Sequence, residues 1–182
     1  MHPVLDRFEL TGPVGRVSTD AELEAADQTI AMTVPDSYRE LATTLGWGRC
    51  FPGVGLLLYV PFADVPDALG VWAPEQAEFF VECLDAGLWE LEPDGDEDLV
   101  RRLVPFGISE NGHAFAWDPT DPSGPGECWI YSIGSKMLSV TKAAPDLFTF
   151  LDACTDDRVR RVLGPGYEPL VPVFEPWVPN PW

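Results

Sequence analysis

Hydrophobic positions in the first quarter of the chain recur at helical spacing. Thr19 and Glu22 form a capping box, in which the hydroxyl and the carboxylate each accept a free N–H, and they predict a short helix over 20–29. Pro35 suits the first turn of a second helix, and Gly46 suits its C-terminal end. The apolar residues of this second helix follow the i, i+3, i+4, i+7 spacing of one buried face: Tyr38, Leu41, Ala42 and Leu45.

Four further elements follow from apolar runs and helix-breaking residues. The continuous apolar run 56–60 predicts a buried strand. Pro74 and Gly87 bound a third predicted helix, because proline is accepted in a first turn and glycine commonly ends a helix. Pro145 predicts the start of a fourth helix, and residues 156–163 predict a shorter one.

The middle of the chain changes to the two-residue period of β-strands. Asn111-Gly112 predicts a tight two-residue turn between strands at 103–109 and 113–117, because both residues accept the positive φ that this turn requires. Two more strands are predicted at 128–133 and 136–141. Four consecutive strands joined by short turns indicate an antiparallel meander, and the helices before and after it indicate an α+β fold in a single domain.

The C-terminal residues alternate prolines with aromatic side chains. We expect this arm neither to be helical nor to join a central strand, because proline has no backbone N–H. It either packs in extended form on its own domain, which would cover its aromatic side chains, or docks on a neighbouring subunit of a homo-oligomer; a polyproline ligand is a more distant alternative. The sequence divides into an N-terminal extension with a short helix (1–33), a central domain (34–163) and the C-terminal arm (164–182).

The composition indicates a folded, strongly acidic protein. Of the 182 residues 46% are hydrophobic and 12% are aromatic, which excludes a disordered acidic tail. Eleven Lys and Arg against 30 Asp and Glu give a net charge of −19. This balance argues against nucleic acid, whose phosphates require Lys and Arg, and against an anionic membrane surface. A charged partner is expected to be basic.

The N-terminus and the cysteines point to a cytoplasmic protein. Residues 1–7 lack the basic and apolar regions of a signal peptide. The longest apolar stretch, 54–60, is far shorter than the roughly 18 residues of a membrane span. The four cysteines contain no C-x-x-C pair and stand beside apolar residues, so we interpret them as buried thiols in a reducing compartment. They are Cys50, Cys83, Cys128 and Cys154.

The order of several short motifs resembles the SUKH superfamily, which groups fungal cell-wall-synthesis regulators with bacterial toxin-immunity proteins. The early helix of that family is similar to residues 34–41 (VPDSYREL), which run into 46–48 (GWG) where the family usually has Asn-Gly-Gly. Its central hairpin is similar to 104–118, although Gly112-His113 stands where the family often has Gly-Asp. Its next strand and closing helix resemble residues 128–131 (CWIY) and 147–151 (LFTFL).

This resemblance covers about residues 34–153. It implies an α+β domain in which helices surround a twisted, antiparallel sheet of four to six strands. It also implies a non-enzymatic binding role, which in bacteria is often the neutralisation of a toxin.

The sequence offers no catalytic, metal or cofactor site. His113 is the only internal imidazole, and Glu110 across the turn is expected at most to form a surface ion pair with it. A triad of Ser109, His113 and Asp118 fails, because residues five apart in a strand point to opposite faces. Nucleophile-elbow, zinc-ligand, phosphate-loop and dinucleotide-binding motifs are all absent from the sequence.

An acidic run is the strongest local signal. Asp94, Asp96 and Asp98 imitate the start of a calcium loop, but Leu99 and Pro105 stand where an EF-hand needs Gly and Glu. The run is therefore either a solvated loop before a short helix or a docking patch for a basic partner. Six carboxylates define that candidate patch: Glu90, Glu92, Asp94, Asp96, Glu97 and Asp98.

The sequence as a whole predicts a protein-binding domain, with an immunity protein that occludes a basic toxin domain as the first hypothesis. A regulatory or scaffold module in signalling or envelope assembly is the alternative, and an enzyme ranks third. Trp117 and Trp129 are the other candidate contact residues, and they supply an uncharged aromatic interface if the carboxylates serve only solubility.

Overall fold

The computed structural model describes residues 1–177, which form seven α-helices and eight β-strands. The helices are α1 (Pro3–Asp6), α2 (Asp20–Ile30), α3 (Asp36–Thr44), α4 (Leu69–Asp85), α5 (Glu97–Val100), α6 (Leu147–Cys154) and α7 (Val159–Val162). The strands are β1 (Glu9–Leu10), β2 (Gly48–Cys50), β3 (Leu56–Leu58), β4 (Val104–Ser109), β5 (Ala114–Gly124), β6 (Glu127–Ile133), β7 (Val140–Ala144) and β8 (Val173–Pro176).

All eight strands belong to one sheet, in the order β1-β8-β2-β3-β4-β5-β6-β7. The α+β class is confirmed, and β4 to β7 form the expected antiparallel meander. The sheet is larger than the four to six strands expected, because short strands near both ends of the chain extend it beyond β2.

The predicted hairpin forms with a longer loop than expected. Four residues, 110–113, lie between β4 and β5, and only Gly112 among them has a positive φ, of 84°. The amide of Gly112 donates to the carbonyl of Ser109 at 2.9 Å. The amide of Ser109 donates to the carbonyl of His113 at 2.9 Å, and this bonded pair encloses a loop of three residues, 110–112, in which glycine closes the turn. The prediction of a two-residue turn was wrong.

Two helix starts differ from the sequence prediction. Pro35 is the residue before α3 rather than its first residue. Helix α4 begins at Leu69, five residues before Pro74, which lies inside it. The amide of Leu69 donates to the carbonyl of Val60 at 2.7 Å and fixes that early start. The capping box of α2 is present in full, as predicted.

The C-terminal arm contains an internal strand, contrary to expectation. Strand β8 lies between β1, to which it is parallel, and β2, to which it is antiparallel. Its prolines do not prevent this, because Pro172 precedes the strand, accepting a hydrogen bond from the Glu9 amide at 2.9 Å, and Pro176 ends it. The arm up to residue 177 thus packs within its own chain. Pro179, Pro181 and Trp182 lie outside the described residues.

Both faces of the sheet are covered. On one face the β5 side chains Phe115 and Trp117 belong to a large core that includes α3 and α6. On the other face Ala114 and Ala116 pack with Phe80 of α4. The first half of β5, residues 114–118, therefore buries both sets of its side chains, whereas most of residues 119–124 are exposed.

Candidate partner-binding surface

The acidic segment (residues 90–98) lies along the free edge of the sheet. The amide of Glu90 donates to the Met137 carbonyl at 2.9 Å, and the amide of Val140 donates to the Glu92 carbonyl at 2.9 Å. The amide of Asp94 then donates to the Val140 carbonyl at 3.0 Å. The segment thereby occupies hydrogen-bonding groups of the edge strand β7, a common protection against unwanted strand pairing.

All six carboxylates of the predicted patch are exposed, but two of them accept hydrogen bonds from backbone amides of the chain. Asp94 accepts a hydrogen bond from the Lys142 amide at 2.9 Å. Asp96 caps α5 by accepting from the Leu99 amide at 2.7 Å. The remaining four carboxylates form no side-chain hydrogen bond or ion pair within residues 1–177: Glu90, Glu92, Glu97 and Asp98.

The expected aromatic contact does not exist as proposed from the sequence. Trp117 is only 1% exposed, stacks on Phe106 at 4.2 Å and meets Tyr38 edge-on at 5.2 Å. Because Trp117 pairs with Ile130, the neighbouring Trp129 points to the opposite face, where it is half-buried beneath the Lys142 ammonium. Trp117 is therefore a core residue and shares no surface with Trp129.

An exposed aromatic pair on α4 was missed by the sequence reasoning. Trp72 is 42% exposed and Phe79 is 50% exposed, and seven residues, two helical turns, separate them. Both line a groove of about 310 Å³, whose floor includes Tyr59 and Ile108. The i, i+7 spacing would have revealed the pair, but a helix predicted to start at Pro74 excludes Trp72.

The outer face of α4 is also acidic. The helix carries Glu75, Glu78, Glu82 and Asp85 and has no Lys or Arg. Asp85 pairs with Arg101 at 2.6 Å, which ties the end of α4 to the residue that follows α5. Phe80 of α4 packs in one hydrophobic cluster with Leu91 of the acidic segment, so the C-terminal half of α4 lies beside that segment. We call the exposed side chains of α4 and the acidic segment together the acid–aromatic face. It comprises Trp72, Glu75, Glu78, Phe79 and Glu82 together with the acidic segment.

The candidate catalytic groups are engaged elsewhere. Glu110 pairs with Arg49 rather than with His113, so the expected cross-turn ion pair was wrong. His113 is buried, with Nδ1 3.3 Å from the Ser109 hydroxyl, and burial lowers its pKa below the usual value. Asp118 binds Arg102 at 3.0 Å. No group of three or more potential metal ligands of the His, Cys, Asp and Glu types occurs among residues 1–177.

Comparison with known proteins assigns most of the chain to one family. The model of the SMI1 / KNR4 family (SUKH-1) matches residues 18–153, which include α2, the meander and most of α6. No curated protein matches the sequence. None of the helices within residues 1–177 has the length and apolar character needed to cross a membrane.

Proposed function

The chain belongs to the SMI1 / KNR4 family (SUKH-1), and on that basis we propose that it is a cytoplasmic bacterial immunity protein. It binds a basic toxin domain, covers the active site or substrate groove of that domain, and performs no chemistry itself. The acid–aromatic face is the surface that makes the contact.

The observation that carries this proposal is the coincidence of unpaired carboxylates with exposed aromatic side chains. Four carboxylates of the acidic segment have no partner within residues 1–177, and the adjacent α4 has no cation of its own. Such a field attracts a basic domain and accelerates its association. If that domain is a nuclease, the carboxylates take the positions of substrate phosphates.

The charges mainly accelerate association, whereas the exposed aromatic side chains contribute affinity by burying apolar area in the complex. Trp and Tyr dominate interface hot spots because they bury a large apolar area with little loss of conformational freedom. Trp72 and Phe79 remain half exposed beside the groove, so they can insert into an apolar recess of a partner. Protein interfaces commonly combine aromatic anchors with charged side chains that remain partly hydrated.

Co-expression tests this function in a bacterial host. The candidate toxins are basic domains encoded beside this chain in its native genome, and the readout is growth. The wild type is expected to restore growth, whereas Trp72→Ala is expected to weaken binding by at least about tenfold and to reduce rescue. Val171→Ala is the control, because Val171 is 71% exposed and lies outside the acid–aromatic face.

Two results would overturn the proposal. One is the absence of a toxin gene beside this one, together with no rescue from any basic toxin domain. That result favours a regulatory or scaffold module, the other role found in the superfamily. The second is full rescue by a chain that carries both Trp72→Ala and Phe79→Ala, which would move the interface away from α4.

A further inference from the structure

A small polar pocket lies on the side of the sheet opposite to α4. It has a volume of about 200 Å³ and is bounded by β6, β7 and the turn between them, and by α7 with the residues that follow it. Ser132 of β6 pairs with Thr141 of β7, so the two hydroxyl-bearing side chains are neighbours on one face. Ser139 completes this wall.

The hydroxyl groups of this pocket have no partner within the described chain. Ser132 is 3% exposed, whereas Ser139 and Thr141 are half-buried, and none of the three hydroxyls has a hydrogen-bond partner among residues 1–177. They are not sealed in the core, since Ser18 Oγ is the one fully buried side-chain atom of the described residues without a partner. Hydroxyl groups that border a cavity and have no protein partner normally bind water or a ligand. Three hydroxyls facing one cavity therefore form a set of donors that the fold itself does not use.

Arg161 provides a positive charge at the mouth of the pocket. Of the nine arginines, it alone has no carboxylate within 4.0 Å among residues 1–177, and its guanidinium donates to the Lys142 carbonyl at 3.5 Å. Arg160 also lines the pocket, but Glu168 and Asp157 offset its charge at 2.8 Å and 3.4 Å. In a chain of net charge −19, this guanidinium beside three hydroxyls gives the pocket a local positive charge.

We propose that this pocket binds a small tetrahedral oxyanion of the phosphate type through Arg161 and the hydroxyls of Ser132, Ser139 and Thr141. The guanidinium presents parallel N–H groups to two oxygens, and charge-assisted hydrogen bonds of this kind are the strong ones. The three hydroxyls can donate to the remaining oxygens. The small volume admits either inorganic phosphate or the phosphate end of a small monoester.

The neighbouring groups are compatible with an anion. His113 forms part of the wall, with its Nδ1 near the Ser109 hydroxyl, and it contributes no negative charge. The repulsion from the distant acid–aromatic face is screened at physiological salt, where the Debye length is about 8 Å. This inference is independent of the proposed function, because the pocket and the acid–aromatic face are on opposite sides of the sheet.

An NMR titration of the whole chain tests the proposal. Sodium phosphate and O-phosphoserine are added in turn at constant pH and ionic strength, with sodium chloride as the balancing salt. We expect saturable shifts of the backbone amides in 132–141 and 160–164. Saturation by inorganic phosphate alone identifies the free ion as the ligand, and tighter binding of O-phosphoserine identifies a monoester.

Substitutions separate specific binding from a general charge effect. Arg161→Gln is expected to lower the affinity at least about tenfold, and the isosteric Thr141→Val several-fold, since each removes a hydrogen-bond donor. Arg101→Gln removes the same charge on the other side of the sheet and is expected to leave the affinity unchanged. Unchanged thermal unfolding in the absence of anion shows that each variant folds.

Three results would overturn this inference. The first is the absence of saturable shifts with either probe. The second is a set of shifts spread over other arginines and not concentrated at 132–141 and 160–164. The third is equal affinity for the wild type and Arg161→Gln, which would mean adventitious binding only.

Discussion

Arg102 and Asp118 form a bidentate ion pair in which only one partner is buried. Nε of Arg102 lies 3.1 Å and 3.0 Å from the two carboxylate oxygens of Asp118. The Asp118 side chain is 1% exposed, whereas that of Arg102 is 37% exposed. Burial by itself would raise the pKa of Asp118, but the hydrogen bonds from Arg102 and Thr120 outweigh it and hold that pKa below the usual value.

Because only Asp118 is buried, substitution of Arg102 and substitution of Asp118 are expected to lower the free energy of unfolding by different amounts. Arg102→Leu leaves a buried carboxylate without its counter-ion and is expected to lower the free energy of unfolding by about 3 kcal/mol at neutral pH. Asp118→Asn leaves an arginine that water can reach and is expected to cost about 1 kcal/mol. Urea denaturation measures both, and equal costs would contradict the prediction.

The same pair predicts an acid dependence of stability. In the wild type, the ionised Asp118 stabilises the fold above the unfolded-state pKa of 3.8, and this contribution is lost as the pH falls further toward the depressed folded-state value. In Arg102→Leu the buried ionised carboxylate is instead unfavourable, so protonation relieves it. The stability difference between wild type and variant should therefore shrink as the pH falls below about 4. A difference that stays constant down to acid pH would contradict this linkage.

Because β8 pairs with β1 and β2 of the same chain, we expect the C-terminal arm to stabilise its own domain. Phe174 is 1% exposed, and Phe174→Ala is expected to cost about 4 kcal/mol. Val171→Ala, at a side chain that is 71% exposed, is the control and is expected to change stability by less than about 0.5 kcal/mol. Thermal unfolding should be independent of protein concentration. A midpoint that rises with concentration would instead show that the arm docks on a second subunit.

The cysteines are free, and they are predicted to differ in reactivity. Burial raises the pKa of Cys154 to about 12, with a smaller effect from Asp156, and burial also raises the pKa of Cys50. Because the thiolate is the reactive form, both should resist iodoacetamide until the chain unfolds. Cys128 is half-buried and should be modified first. Peptide mapping by mass spectrometry after brief labelling measures the order, and equal rates at Cys50 and Cys128 would contradict it.

Local sequence signals predicted helix caps and turn positions well. Loop lengths and helix starts that depend on contacts between distant parts of the chain were not predicted. The capping box of α2 depends on Thr19 and Glu22 alone, and it forms as expected. The Asn111-Gly112 turn was located correctly, but its loop has one residue more than predicted. The added residue, Glu110, donates its amide to the Val54 carbonyl at 3.2 Å, a contact with a distant part of the sequence.

The same distinction explains what was missed at the candidate site. Exposure of the acidic segment follows from its composition, and all six carboxylates are exposed. Burial of Trp117 depends on α3 and β4 packing on both sides of its ring, which no local pattern around residue 117 reveals. Trp72 was missed because the bond between Leu69 and Val60 sets the true start of α4.

The central claim is that the acid–aromatic face steers a basic partner onto this chain. The decisive measurement is the association rate constant with a basic toxin domain that the co-expression test identifies as the partner, followed over increasing sodium chloride. The wild type is compared with a fourfold variant at the unpaired carboxylates: Glu90→Gln, Glu92→Gln, Glu97→Gln and Asp98→Asn. A matched control carries the same change of charge at exposed carboxylates near the N-terminus: Asp6→Asn, Glu9→Gln, Asp20→Asn and Glu24→Gln.

We expect the association rate of the wild type to fall steeply with salt, since the Debye length shrinks from about 10 Å at 0.1 M to about 3 Å at 1 M. The fourfold variant should associate about tenfold more slowly at low salt and depend less on salt, with little change in dissociation, while the control stays close to the wild type. An acidic partner, or a variant with the rate and salt slope of the wild type, would contradict the claim.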